Sequence, residues 1–394
     1  MSTIFADRME NTRKSFIREI LKVTQQPEVI SFAGGLPNPG LFPVDEVAAA
    51  AAKVLSEEGR NALQYSTTEG YLPLREFIAQ RYLLKSGLKI DPDEILITNG
   101  SQQSIDLIGK VFLNKGDRVV IESPGYLGAI QAFSIFEPEF VEVPLLEDGI
   151  DTDQLDRILA GSSGKLFYTV PTFQNPSGIT YSRQKREETA KILQRHNIVC
   201  VEDNAYWELR FAGEDLPTIR NFSDNTILLG SFSKIIAPGI RMGWICAQGE
   251  TMEKLLIAKQ AADLHSNYLS QRIIYQYLLD NDIDEHILKI KDAYGKRRDL
   301  MIGLMEEHFP EGIGYTKPEG GMFVWVTLPE GISSMDLFEL AIKENVAFVP
   351  GSPFYTRDGM GINTLRLNFS NSDFDKIEEG IKRLAGCLRE LNSD

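Results

Sequence analysis

Few residues in this 394-residue sequence are of the kinds that form disulfide frameworks or metal sites. The three cysteines, Cys200, Cys246 and Cys387, show no Cys-x-x-Cys spacing, and the four histidines are scattered without an HExxH pair. We therefore expect buried, reduced thiols and no metal site. Long apolar runs are also missing, because no stretch reaches the ~18 uninterrupted apolar residues of a membrane helix.

Basic residues are outnumbered by acidic ones, and the formal net charge is −15. This balance argues against non-specific nucleic-acid binding, which needs a basic surface. Residues 1–16 lack the apolar segment of a secretory signal, so we expect a cytoplasmic protein. Hydrophobic residues make up 43% of the chain, which is typical of a folded protein rather than a disordered one.

Short apolar stretches alternate with helical patterns through the first two thirds of the chain. The stretches with strand character are 94–98, 119–122, 140–143, 166–170, 198–202, 226–230 and 243–247. Their alternation with helices predicts an α/β fold with a mainly parallel, seven-stranded sheet that helices cover on both faces. Ligands of such sheets bind at the carboxyl ends of the strands, so we expect a site there.

The chain is longer than the ~250 to 300 residues at which a single core usually stops growing, and this length predicts two domains. We predict an N-terminal arm and small-domain segment at 1–44, a large domain that carries the site at 45–283, and a smaller α+β domain at 284–394.

Lys234 follows the apolar stretch 226–230 almost at once. An ammonium group near the end of a core strand is costly unless it is paired or used chemically, and a desolvated lysine can act as a nucleophilic amine. Ser231, Ser233 and Arg241 surround it with hydroxyl groups and a fixed cation. These groups suit a phosphorylated aldehyde held against the amine.

Gly100, Ser101 and Gln102 follow the first predicted strand and open a helix. Glycine lets the backbone approach a ligand closely, and the start of a helix offers unpaired N–H groups to an anion. These residues therefore form either a phosphate site or a simple strand-to-helix turn.

Polar side chains also follow the other predicted strands. Tyr126 suits stacking on a planar ring or packing in the core, and Asn175 stands before a proline, in a turn. Asp203, if buried, needs a cationic partner such as a protonated pyridine nitrogen; alternatively it caps a helix. Tyr206 lies three residues further on and could donate to a phenolate.

Arg366 alternates with Leu365 and Leu367 in a predicted strand of the C-terminal unit. It therefore faces away from its apolar neighbours. Facing a cleft, its guanidinium would bind a carboxylate; facing outwards, it would be a solvated surface arginine.

Taken in order, these residues resemble the class I and II aminotransferases among the fold-type-I pyridoxal phosphate enzymes, and the resemblance covers essentially the whole chain. Several longer strings look like the branch that contains 2-aminoadipate and kynurenine aminotransferases. These strings are FAGGLPNPGLFP, QYSTTEGY, SFSK, KPEGGMFVW and VAFVPGSPF.

The resemblance implies pyridoxal 5'-phosphate as the cofactor, with Lys234 as its covalent attachment and as the base that moves the substrate proton. It implies that Asp203 pairs with the ring nitrogen, that Asn175 and Tyr206 hold the ring oxygen, and that Tyr126 stacks on the ring. The residues implied to hold the phosphate are Gly100, Ser101, Gln102, Ser231, Ser233 and Arg241.

The resemblance also implies a homodimer in which Tyr65 reaches the phosphate in the partner subunit's site. Arg366, together with Asn175, is expected to bind the substrate α-carboxylate. Arg18 matches a position that can reach a distal carboxylate, although a solvated helix arginine explains it equally well. Gly35 is expected to line the same pocket.

The implied activity is transfer of an amino group from an L-amino acid to a 2-oxo acid, commonly 2-oxoglutarate, in two half-reactions. A carbon–sulfur lyase or decarboxylase on the same fold is the enzymatic alternative, because the cofactor-binding residues do not fix which bond at Cα breaks. A cofactor-sensing regulator is disfavoured, since only about 30 residues precede the FAGGLP loop and leave no room for a DNA-binding domain.

Overall fold

The computed structural model describes residues 4–10, 26, 28–161 and 164–391, and strands and helices alternate through most of this part of the chain. Its strands are β1 Ile30–Ser31, β2 Ile95–Thr98, β3 Arg118–Ser123, β4 Glu139–Leu146, β5 Gly149–Ile150, β6 Leu166–Thr169, β7 Val199–Asp203, β8 Thr226–Ser231, β9 Gly243–Cys246, β10 Gly314–Tyr315, β11 Phe323–Thr327, β12 Val346–Ala347, β13 Val349–Pro350 and β14 Thr364–Asn368.

The α-helices of the same part of the chain include short segments and one that is 26 residues long. They are α1 Asp7–Glu10, α2 Val44–Ala62, α3 Leu72–Ser86, α4 Ser101–Phe112, α5 Leu127–Ser134, α6 Thr152–Gly161, α7 Arg183–Arg195, α8 Gly249–Asp263, α9 Tyr268–Asp280, α10 Ile283–His308, α11 Ser334–Lys343 and α12 Phe374–Leu391.

The main sheet has the strand order β2-β9-β8-β7-β6-β3-β4-β5 among the described residues. Pairing is parallel from β8 through β7, β6 and β3 to β4, whereas β9 runs antiparallel to both β2 and β8. All seven predicted strands are present, and the two-residue strand β5 extends the edge by pairing antiparallel with β4. The prediction of a mainly parallel α/β sheet is confirmed.

The central strands are buried on both faces, which explains their continuous apolar sequences. Leu228 and Leu229 on β8 are both fully buried although their side chains point to opposite faces. Helices α6 and α7 cover one face, where Leu155 and Leu193 belong to the same core cluster. Each such leucine stabilises the fold by about 1.5–3 kcal/mol through its burial.

Arg186 on α7 is buried and fixes the segment that follows β6. Its guanidinium donates to the carbonyl of Pro171 at 2.7 Å and to the hydroxyl of Thr172 at 2.9 Å. The carboxylate of Glu202 lies 3.8 Å away and offsets the buried positive charge. A surface helix thereby anchors a loop at the carboxyl edge of the sheet.

A second, antiparallel sheet of order β10-β11-β14-β13 forms the centre of the smaller domain. The strand predicted around Arg366 is present as β14, and helices α11 and α12 accompany the small sheet, in agreement with the predicted α+β unit. Strand β12 pairs with β1 from the N-terminal segment, whereas β13 pairs with β14. The exact domain boundaries stay a prediction.

Within the described ranges, no helix is both long and apolar enough to span a membrane. No group of three or more histidine, cysteine, aspartate or glutamate side chains in the same ranges could hold a metal ion.

Two glycines in α12 test how the N-terminal segment packs on the smaller domain. A Cβ atom at Gly380 would lie 2.6 Å from the Phe32 ring and 2.9 Å from Ile30, whereas a Cβ at Gly386 would meet nothing within 4 Å. We predict that Gly386→Ala raises the free energy of unfolding by about 0.5–1 kcal/mol, because alanine favours helix.

Gly380→Ala, by contrast, should lower the free energy of unfolding by about 1–3 kcal/mol, because the added methyl group overpacks a buried contact. Urea denaturation of both variants measures the difference. Equal effects of the two substitutions would contradict the packing of β1 and the residues after it against α12.

Candidate active site

A cavity of about 270 Å³ opens at the carboxyl ends of the main-sheet strands. Strands β2, β3, β6, β7 and β8 all run in the same direction, so their ends and the loops that follow meet at this edge. Ten residues singled out from the sequence line the cavity: Ser101, Gln102, Tyr126, Asn175, Asp203, Tyr206, Ser231, Ser233, Lys234 and Arg241. Residues that are far apart in the sequence therefore share one site.

Lys234 lies in the short 3-10 turn that follows β8, and its amine is held inside the cavity. The Nζ atom donates to the carbonyl of Gly35 at 3.3 Å and lies 5.8 Å from the centre of the Tyr206 ring. Burial lowers the pKa of Lys234 to about 8, and the positive charges of Arg366 and Arg241 act in the same direction. Near neutral pH a useful fraction of the amine is therefore unprotonated and nucleophilic.

Asp203, the last residue of β7, is a buried carboxylate with one oxygen still to be satisfied. Its Oδ2 accepts a hydrogen bond from the Tyr168 hydroxyl at 2.8 Å, whereas its Oδ1 has no hydrogen-bond partner in the described part of the chain. Burial raises the pKa of Asp203 to about 6, so the side chain is mostly ionised at neutral pH. A ligand with a charged N–H donor would satisfy the remaining oxygen.

The side of the cavity next to α4 offers groups that bind anions. Gly100 has φ +78° and directly precedes the helix, and a Cβ atom there would lie 2.7 Å from the guanidinium of Arg241. The Ser231 hydroxyl donates to Ser233 at 2.9 Å, which places two hydroxyl groups beside each other. The start of α4, two serines and a cation suit a phosphate group.

Arg366 on β14 links the smaller domain to this site. Its guanidinium donates to Oδ1 of Asn175 at 2.8 Å and to the carbonyl of Ala33 at 2.7 Å, and Asn175 in turn donates to the Tyr206 hydroxyl at 3.3 Å. The side chain is only 3% exposed, which excludes the alternative of a solvated surface arginine.

No carboxylate pairs with Arg366 among the described residues, and its Nε has no hydrogen-bond partner there. Burial lowers the pKa of Arg366 to about 10, but the group stays charged at neutral pH. Its centre lies 4.4 Å from the Phe323 ring and 5.2 Å from the Phe354 ring, and both rings reduce its contact with water. A buried, unpaired guanidinium of this kind favours binding of a carboxylate ligand.

Neither Gly35 nor Tyr65 is among the residues that line the cavity. The carbonyl oxygen of Gly35 accepts a hydrogen bond from the Lys234 amine. Tyr65 is 80% exposed and contacts the His265 ring edge-on, outside the cavity of this single chain. Arg18 lies outside the described residues, so its proposed contact with a distal carboxylate stays a prediction.

Sequence reasoning missed Tyr168 and the carboxylates that hold the residues around the cavity. Glu122 accepts hydrogen bonds from the Thr169 hydroxyl at 2.6 Å and from the Tyr181 hydroxyl at 2.7 Å. Asp263 accepts from the Asn99 amide at 2.6 Å, which supports the loop before α4. In the sequence these residues are marked only by a tyrosine or a carboxylate inside an apolar stretch. That pattern does not show which residue the side chain bonds to.

A family model and two curated relatives above 40% identity show the family of this chain. The family model described as aminotransferase class I and II matches residues 27–384. Aromatic-amino-acid aminotransferase 1 of Thermococcus litoralis is 44% identical over 98% of this chain and 94% of its own, and 2-aminoadipate transaminase of Thermus thermophilus is 43% identical over 99% and 98%.

A solved structure extends the agreement to three dimensions. LysN, an α-aminoadipate aminotransferase from Thermus thermophilus in complex with N-(5'-phosphopyridoxyl)-L-leucine, is 42% identical over 99% of this chain and 98% of its own, with a TM-score of 0.91. The family match, the identity of these relatives and the shared fold all agree, and the chain belongs to the class I and II aminotransferases.

Proposed function

We propose that this aminotransferase uses pyridoxal 5'-phosphate to move the amino group of an L-amino acid to a 2-oxo acid, in two half-reactions at a single cavity. The observation that carries the proposal is the combination at this cavity of a buried amine, a buried carboxylate with an unsatisfied oxygen, and an anion-binding edge. Each of these groups matches a different part of the cofactor.

The residues present fit this cofactor. Asp203 would accept the ring N–H with its unsatisfied oxygen, and Tyr126 would stack on the ring. Asn175 and Tyr206 would hold the ring oxygen. The residues that would hold the phosphate are Gly100, Ser101, Gln102, Ser231, Ser233 and Arg241.

When bound, the cofactor supplies an aldehyde that bonds to amines and a ring that withdraws electrons from the substrate Cα. Lys234 would provide the amine for attachment and later carry a proton to and from the reacting carbon. Its lowered pKa lets it both give and accept that proton near neutral pH. Burial of the cavity walls limits access of water to these charges, which strengthens their interactions.

Arg366 and Asn175 would orient the substrate by its α-carboxylate. We propose that aromatic amino acids and 2-aminoadipate are among the donors, since relatives with 43–44% identity carry those names, and that 2-oxoglutarate is an acceptor. Gly35 would form part of the wall beside the substrate side chain, and Arg18 would receive a distal carboxylate.

We further propose that the active unit is a cytoplasmic homodimer. Leu63 and Tyr65 are 70% and 80% exposed, and these apolar surfaces would be covered by a second copy of the chain. Tyr65 would then reach the phosphate bound by the partner subunit.

The first test is replacement of the attachment amine. We predict that Lys234→Ala abolishes transamination and also prevents covalent attachment of the cofactor by borohydride reduction, because the amine that forms the bond is gone. Peptide mass spectrometry and a donor panel with 2-oxoglutarate measure the two effects.

Lys259 provides a matched control, since it is also buried and its pKa is also lowered by burial. In Lys259→Met at saturating cofactor, borohydride reduction should still attach the cofactor to Lys234. Oxo-acid-dependent transfer by the Lys234→Ala protein would refute the assignment. Release of pyruvate and ammonia from cysteine conjugates by the wild-type enzyme, without amine transfer, would support the lyase alternative.

Replacing the buried guanidinium tests carboxylate binding. We predict that Arg366→Gln lowers kcat/KM for amino acids by about thirty-fold or more, because loss of a charged hydrogen-bonding partner costs ~2–5 kcal/mol. Bound cofactor should stay close to the wild-type level. Arg383→Gln, at a partly exposed arginine of the smaller domain paired with Glu379, should leave both quantities unchanged.

The pH dependence of Lys234 reactivity gives a further test in the cofactor-free enzyme. Only the neutral amine reacts with acetic anhydride, so we predict half-maximal labelling of Lys234 near pH 8, against about 10.4 for exposed lysines. Arg366→Gln removes a neighbouring positive charge, which favours the protonated amine and moves this midpoint to higher pH. Mass spectrometry of labelled peptides measures it; a wild-type midpoint near 10 would contradict the proposed environment of the amine.

A further inference from the structure

We propose that Tyr168 is a positioning residue for the cofactor ring: by binding one oxygen of Asp203, it keeps that carboxylate ionised and leaves the other oxygen to accept the ring N–H. The inference rests on the proposed function, because it assigns a role toward the proposed cofactor. Tyr168 itself is not among the residues that line the cavity.

The contact is fixed by the sheet. Tyr168 on β6 is in register with Val201 on the neighbouring parallel strand β7, and Asp203 follows two residues later on the same face. The Tyr168 hydroxyl donates to Oδ2 of Asp203 at 2.8 Å. The ring is fully buried and packs edge-on against Phe133 at 5.8 Å, so the core sets the position of the hydroxyl.

The hydroxyl of Tyr168 stays a donor throughout the working pH range, because burial raises its pKa far above the usual value. A hydrogen bond to a carboxylate favours its charged form, and burial opposes that form. The other groups that act on Asp203 are the backbone N–H of Ala205 and the side chains of Lys234, Tyr126 and Tyr206. The positive charge of Lys234 is lost as pH rises through about 8, whereas the Tyr168 contact persists.

Tyr181 offers a matched control. It is also fully buried, and its hydroxyl also donates to a buried carboxylate, that of Glu122, at 2.7 Å. Neither Tyr181 nor Glu122 lines the cavity. Replacing either tyrosine by phenylalanine removes the same kind of hydrogen bond from the core, but only Tyr168 acts on Asp203.

The test compares two cofactors on the full-length protein. Dissociation constants are measured for pyridoxal 5'-phosphate and for its analogue with a C–H group in place of the ring nitrogen. Wild type should bind the natural cofactor more tightly. In Tyr168→Phe this preference should fall about ten-fold or more, because Asp203 loses a charge-assisted hydrogen bond and becomes protonated. Tyr181→Phe should keep the wild-type preference.

A Tyr168→Phe protein with the wild-type preference would overturn the proposal, and so would an equal fall in Tyr181→Phe. On an Asp203→Asn background, Tyr168→Phe should have no further effect on the preference; a further fall of the same size would place its action elsewhere. Thermal unfolding shows whether each variant is folded. If Tyr168→Phe does not fold, Tyr168→Met is used instead, because its flexible side chain adapts to the core. Failure of wild type to bind either cofactor would instead refute the proposed function.

Discussion

The charged groups at the cavity are buried without a complete set of hydrogen-bond and ion-pair partners. The rest of the structure holds them in this state. Lys234 carries a pKa lowered to about 8 and Asp203 one raised to about 6, both through burial. Arg366 has no carboxylate partner among the described residues. Such groups destabilise a fold unless a ligand completes them, so their presence together is characteristic of a functional site rather than of core packing.

The surrounding core prevents these groups from collapsing onto one another. Asp203 is the last residue of β7 and Lys234 lies just after β8, so the sheet fixes the backbone position of both. Hydrogen-bonded polar networks fix the neighbouring loops. Arg186 holds the segment after β6, and Glu122 accepts hydrogen bonds from residues on both sides of that segment. Because these networks are buried and satisfied, they hold the cavity walls at defined distances at little cost in stability.

Contact between the domains brings Arg366 to the site. The bond from Arg366 to Asn175 joins a strand of the small antiparallel sheet to a loop of the large sheet. The same guanidinium binds the carbonyl of Ala33 in the N-terminal segment. Three distant parts of the chain therefore meet at one cation, and any relative movement of the domains changes its surroundings.

The sequence by itself determined the positions of the main-sheet strands along the chain, the mainly parallel sheet, and the position of Lys234 just after a core strand, because these depend on local apolar patterns and on a general rule for strand ends. Tertiary structure alone decided that Arg366 is buried. The alternation of side chains along a strand puts Arg366 and Leu365 on opposite faces, but it does not show what covers each face. It also decided the partner of Tyr168, because a hydrogen bond between neighbouring strands depends on register, which local sequence does not encode.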